Sequence, residues 1–192
     1  VVFNKTDRGE ELKEQMDVLI DTLKADGTLQ SMEDFWFGEK EPEVSLDYSD
    51  LTGENGTIRY VLCAEQKPFA YMKDGQYVGY DVELVIRFCR EYGYDLQMEN
   101  VAFSSLVPGV VSDKYDLAAS GVTITEERAE SVLFSEPDYE GGVVMVIKGQ
   151  GGDKSFLSSL GESFEKTFIR EYRWEMFVKG IGITLLITIV AA

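Results

Sequence analysis

The sequence predicts an α/β fold on a mainly parallel sheet, and three observations carry that expectation. Between residues 57 and 148 apolar residues recur by turns at the period of a strand and at the period of a helix. Turn chemistry, Asp74-Gly75 above all, falls between the periodic stretches. Composition supplies the third: 192 residues with 44% hydrophobic and 12% aromatic side chains can bury a sizeable core, which excludes a wholly disordered or collagen-like chain.

The elements follow in order. Leu12, Met16, Leu19, Ile20 and Leu23 share one helical face, and Gly27 stands where a left-handed cap ends such a helix. Thr28 reads as the cap of a second short helix carrying Leu29, Met32 and Trp36, closed by Gly38. Both helices are amphipathic and need an apolar surface to lie on. Residues 39–56 lack either period and carry a net −5, so they read as an acidic, solvated linker. Beyond it the pattern gives a strand at 58–63, a hairpin over Asp74-Gly75, a helix at 81–92 and a strand at 95–101. A helix near 106–111, a strand at 116–120, a short helix capped by Thr125, and strands near 132–134 and 143–147 complete the layer.

Residues 149–154 open with Gly149-Gln150-Gly151-Gly152, a hinge. Phe156, Leu160, Phe164, Phe168, Tyr172 and Met176 then recur every fourth residue, giving an amphipathic helix that packs on the preceding domain or lies in a membrane interface. Arg170, Arg173, Trp174 and Lys179 precede an uncharged run, Ile181–Ala192, too short for the roughly 20 residues of a bilayer span. Because the chain stops inside that run and begins without methionine, it reads as a piece of a longer protein ending in a truncated transmembrane helix.

Charge and residue inventory narrow the chemistry. A net charge of −17 repels a phosphate backbone, so nucleic acid is not an expected partner. No histidine is present, and Cys63 and Cys89 form no zinc-ligand pattern, so neither a transition-metal site nor a cofactor is expected. The two cysteines are read as buried thiols in preference to a disulfide. No serine or cysteine nucleophile has a plausible base and the carboxylates are dispersed, so no catalytic residue is assigned.

In open α/β sheets ligands gather at the carboxyl ends of strands, here the loops 63–68, 103–105 and 120–128. The last runs Ser120-Gly121-Val122-Thr123-Ile124-Thr125-Glu126-Glu127-Arg128 into a capped helix. A guanidinium in a first helical turn, beside free backbone N–H groups, suits a carboxylate. On spacing alone Arg128 is more simply a solvated residue paired to Glu127 or Glu130. Phe69 and Phe103 on neighbouring loops suit either ligand stacking or core packing.

Together Lys67-Pro68-Phe69-Ala70-Tyr71, Gly79-Tyr80-Asp81-Val82-Glu83-Leu84, Phe103-Ser104, the stretch from Asp116 to Ala129, and Phe134-Ser135-Glu136-Pro137 resemble the first lobe of polar amino-acid binding proteins of ABC importers. The resemblance covers residues 57 to about 148. Residues 1–38 resemble the closing segment of such proteins, a strand and two helices. Residues 155–192, with Trp174, Gly180, Thr184 and Leu185, resemble the opening of the family's permease. This implies a single lobe of a periplasmic-binding-protein-like (type II) fold in permuted order, followed by an amphipathic helix and a truncated transmembrane helix. Alternatively, residues 1–38 close a separate upstream domain.

Carried over residue by residue, the resemblance makes Arg128 the clamp on a ligand α-carboxylate, helped by the Thr123 backbone N–H. The Thr123 hydroxyl and the carbonyl of Ser120 or Gly121 take the α-ammonium, and Phe103 packs on the ligand. Cys63 stands where the family often has an acidic or polar reader, and Gln66 where it often has a second aromatic. The implied function is amino-acid import without an enzymatic step, by a binding region fused to its permease. That region would lie on the extracytoplasmic side of the membrane, bind an amino acid weakly as a lone lobe, and reach an ABC ATPase through the full permease. The other functions compatible with the pattern are a glutamate-receptor-like channel and a dehydratase on a binding-protein fold.

Overall fold

The computed structural model describes residues 1–38 and 46–141, which lie in one compact unit, Val1–Gly141. The expected strand at 143–147, the hinge, the amphipathic helix and the truncated membrane helix lie outside the described residues.

A five-stranded sheet organises the unit. β1 (Val2–Phe3) is followed by α1 (Asp7–Ala25) and α2 (Thr28–Trp36). Thr6 caps α1, its hydroxyl accepting from Gly9 N–H at 3.2 Å, and Asp7 and Glu10 complement the dipole of the first turn. Gly9 is required there, because a Cβ would sit 1.9 Å from the Asn4 carbonyl oxygen. Gly27, at φ +81°, turns the chain from α1 into α2. The second helix is not capped by Thr28, which is its first residue; Asp26 accepts from Thr28 N–H at 2.8 Å instead. An aspartate two residues ahead makes that Asx bond as readily as a cap residue does.

β2 (Thr57–Leu62) runs parallel to β6 (Asp95–Asn100) on one side and to β7 (Leu117–Ala118) on the other. β1 enters between β7 and β8 (Leu133–Phe134), antiparallel to both, so the order is β6-β2-β7-β1-β8. Four of the five strands thus share one direction, as expected, and the strand from the chain's start is inserted between β7 and β8 from the opposite direction. A small sheet, β3 (Glu65–Gln66), β4 (Ala70–Lys73) and β5 (Gln76–Val78), leads into α3 (Tyr80–Glu91). Its hairpin turns on Asp74 and Gly75, both at positive φ, as expected.

Alternation along the strands separates two apolar layers. Phe3, Ile58, Tyr60, Leu62 and Leu117 join the buried stripes of α1, α2 and α3 in one cluster. Val2, Val61, Cys63 and Ala118 face the other way, onto Leu106 and Val110 of α4 (Leu106–Val111). The N-terminal helices thus share one core with the central strands.

Polar ties cross the same seam. Asp116 accepts two bonds from the Arg59 side chain, at 2.9 and 3.0 Å, and one from Arg8 at 3.3 Å. Residues 46–56 do not stand free in solvent as a linker would. Leu46, Tyr48 and Leu51 pack against the core, and Asp50 pairs with Arg90 at 2.7 Å. Three apolar residues spaced through an acidic stretch give no period, yet all three pack, half-buried, against the core.

Candidate ligand-binding site

The C-terminal ends of β2, β6 and β7 converge, and side chains fasten them. Cys63 N–H donates to the Ser120 hydroxyl at 2.8 Å, and that hydroxyl donates to the Cys63 carbonyl at 3.3 Å. Ser120 and Cys63 are both buried, and the Ser120 side chain ties the loop end to the Cys63 backbone. Gly121 follows at φ +63°, its N–H donating to Asp81 at 2.7 Å. A Cβ on Gly121 would meet the Phe69 ring at 2.7 Å. Phe69 itself lies edge-on to Phe37, Tyr80 and Tyr139, a cluster of rings beneath the loop.

Beyond Gly121 the loop rises to α5 (Glu126–Ala129), capped by Thr125, whose hydroxyl accepts from Arg128 N–H at 3.3 Å. The Arg128 side chain folds back over the loop: one guanidinium nitrogen donates to the Thr123 carbonyl at 2.8 Å. Its guanidinium carbon lies 5.9 Å from the Phe103 ring centroid, within cation–π range. Among the described residues no carboxylate pairs with Arg128, neither Glu127 nor Glu130. A hollow of about 100 Å³ opens beside it, lined by Phe103, Ser104, Leu106, Val107, Val122 and Arg128.

Of the residues read from the sequence, Arg128 and Phe103 line this hollow, and Thr123 is tied to it through the bond from Arg128 to its carbonyl. Ser120 and Gly121 do not line it. Phe69, Cys63 and Gln66 do not line it; Gln66 sits on β3, its N–H bonded to the Cys63 carbonyl at 3.3 Å. Two further residues escape sequence reasoning. Lys5 donates to the carbonyls of Ala129 at 2.8 Å and Glu130 at 2.9 Å, placing an ammonium at the C-terminal end of α5. Asp81 lies buried under Gly121, and the signal was an acid among apolar neighbours on a helical face. Burial, and next the Asp138 carboxylate, push the Asp81 carboxyl up to about 7, against the opposing effect of the Gly121 N–H.

Cys63 and Cys89 are free thiols, and burial pushes Cys89 up to about 12. Among the described residues no group of His, Cys, Asp and Glu is arranged to hold a metal ion, and no helix is long and apolar enough to cross a membrane.

The family model of bacterial extracellular solute-binding proteins, family 3, matches residues 58–176. The chain belongs to this family. The arginine-binding extracellular protein ArtP of Bacillus subtilis is 32% identical over 117 residues, covering 60% of this chain and 46% of that protein. ABC transporter arginine-binding protein 1 of Escherichia coli is 34% identical over 92 residues, 47% of this chain and 38% of that protein. A cyclohexadienyl dehydratase of Pseudomonas aeruginosa is 31% identical over 90 residues, 46% of this chain and 34% of the enzyme. The chain spans less than half the length of these family relatives.

Proposed function

We propose that residues 1–141 form one lobe of an amino-acid-binding site, with Arg128 gripping the ligand α-carboxylate, and that the lobe serves an ABC importer. The observation that carries this reading is the Arg128 guanidinium, poised beside the hollow without a carboxylate partner among the described residues. A guanidinium offers two parallel hydrogen bonds to a carboxylate, which suits the group common to all amino acids. Phe103 and Val122 supply the apolar wall against which the ligand's carbon chain packs. In this reading the hydroxyl and backbone N–H of Thr123, whose carbonyl Arg128 holds, supply further polar contacts to the ligand. Family membership supports solute binding as the task, and the names of the relatives favour a cationic amino acid such as arginine.

The binding is weak. A hollow of about 100 Å³ is well under the roughly 300 Å³ at which sites begin to enclose small ligands. An open half-site leaves the clamp in water, and a dissociation constant near 1 mM, about −4 kcal/mol, follows. In the same reading residues 155–192 begin a permease and the lobe faces the outside of the cell. Residues 1–38 complete this lobe, in permuted order, and do not close an upstream domain.

Titration of the 192-residue chain with a panel of amino acids, followed by calorimetry or NMR, tests the reading. A cationic amino acid should bind near 1 mM, and Arg128→Ala should weaken it about tenfold or more, the scale of a lost charge-assisted pair. Absence of binding to every amino acid at tens of millimolar, or an unaltered affinity in Arg128→Ala, overturns it.

A further inference from the structure

Arg128 stands on α5, a helix of a single turn, and one turn of helix does not hold its own shape. What fixes it comes from the groups around it. At its start the Thr125 hydroxyl accepts from Arg128 N–H at 3.3 Å. At its end the Arg128 carbonyl accepts from Ser131 and Val132 N–H at 2.9 and 3.0 Å. The next two carbonyls, of Ala129 and Glu130, accept from the Lys5 ammonium at 2.8 and 2.9 Å, across more than 120 positions of chain.

Lys5 is rooted firmly enough to act as an anchor. Just before it, Val2 and Phe3 pair with Phe134 and Leu133 in the ladder of β1 and β8. Just after it, Thr6 caps α1, whose apolar face lies in the core. The same short segment therefore holds the strand that α5 leads into and the end of α5 itself. Glu126, Glu127 and Glu130 lie on or beside that turn, yet among the described residues no carboxylate pairs with Lys5. Its charge is directed at the helix end, where a cation complements the dipole.

We infer that Lys5 is a positioning residue for the carboxylate clamp, closing the C-terminal end of α5 so that Arg128 stays over Phe103 beside the hollow. This rests on the reading of Arg128 as the clamp. Lys5 does not line the hollow, so its effect on a ligand passes through Arg128. With the tie cut, α5 frays for part of the time, and the apparent affinity falls by the fraction of molecules that keep Arg128 in place. A cation in the last turn of a helix is worth about a two- to fivefold change in such a fraction.

The test titrates L-arginine, followed by NMR, into the 192-residue chain and its Lys5→Met, Lys5→Arg, Arg128→Ala and doubly substituted Lys5→Met/Arg128→Ala variants. Lys5 is exposed, so these substitutions at position 5 should leave the melting temperature within a few degrees of wild type. Lys5→Met should weaken L-arginine about two- to fivefold, and Lys5→Arg, which keeps a cationic donor, should restore most of the loss. Once Arg128 is alanine, Lys5→Met should cost nothing further, as coupled residues require. Hydrogen exchange at the Ala129 and Glu130 amides, which donate to the Thr125 and Glu126 carbonyls at 3.0 and 3.2 Å, should quicken severalfold in Lys5→Met while the α1 amides keep their rates. An unaltered affinity or unaltered exchange in Lys5→Met, an equal loss in Lys5→Arg, or a loss that persists in full without Arg128 overturns the inference and leaves the clamp standing. If the wild type binds no L-arginine at tens of millimolar, the clamp itself fails, and the inference with it.

Discussion

Removing residues 1–38 should unfold the whole described unit, not merely strip a decoration from it. The segment buries Val2, Phe3, Leu12, Met16, Leu19, Ile20, Leu23, Leu29, Met32 and Trp36, none more than 7% exposed. At roughly 1.5–3 kcal/mol per fully buried apolar side chain, their loss is on the order of 20 kcal/mol, against a net domain stability of about 5–15 kcal/mol. The sheet suffers as well, because β1 is the strand that joins β7 to β8, and its removal leaves both ladders open. A chain of residues 39–192 should therefore show no cooperative thermal transition by circular dichroism. A gentler perturbation localises the effect: Met16, fully buried, when replaced by alanine should cost about 2–5 kcal/mol. Hydrogen exchange should then report that loss at the amides of β2 as much as in α1. Cooperative unfolding of 39–192 within a few degrees of the full chain, or exchange changes confined to α1, would refute the single-core argument.

Two further outcomes follow from the same geometry. Stability should peak near pH 4–5. Asp81, raised from 3.8 to about 7, binds its proton more tightly when folded, so stability falls as pH rises between those values, by at most about 4 kcal/mol. At Asp116 burial opposes the charge, but the Arg59 hydrogen bonds and the charges of Arg59 and Arg8 outweigh it and hold the carboxyl below 3.8. That contribution is present above pH 4 and is lost as pH falls through the lowered value. Urea unfolding from pH 3 to 8 measures the profile, and Asp81→Asn should abolish the decline between 5 and 8; a decline that survives in the variant belongs to general repulsion in this acidic chain. Gly121→Ala should lower stability by about 2–3 kcal/mol, from the left-handed φ of +63° and a methyl driven into the Phe69 ring; an unchanged melting temperature would show that the loop relaxes freely.

What the sequence made legible was local. Five apolar residues on one face announce α1, two residues with a taste for positive φ announce the hairpin, and Thr125 announces the helix that carries Arg128. Long-range pairing was not legible in periodicity. β1 has two residues, too few for a period, and its partners lie more than 100 positions away. That a strand would come from residues 1–38 was implied only by family resemblance. For the same reason Lys5 could not be read as the group at the end of α5, and Tyr48 and Leu51 passed for linker. At the site, Arg128, Thr123 and Phe103 could be read from a loop pattern; Arg128 and Phe103 line the hollow, and Thr123 touches Arg128 through its carbonyl. Phe69 could equally stack on a ligand or fill a core, and the rings of Phe37, Tyr80 and Tyr139 claim it. Asp81 stood in plain view at a helix start, where an acid favours the helix dipole and needs no other role.

The carboxylate clamp is tested most directly by amide chemical shifts of the 192-residue chain titrated with L-arginine and with agmatine, which lacks the α-carboxylate. L-arginine should give saturable shifts at Phe103, Thr123 and Arg128, with a midpoint near 1 mM, and agmatine should leave those amides in place. Equal shifts with agmatine, or L-arginine shifts scattered away from the hollow, would contradict the clamp at Arg128.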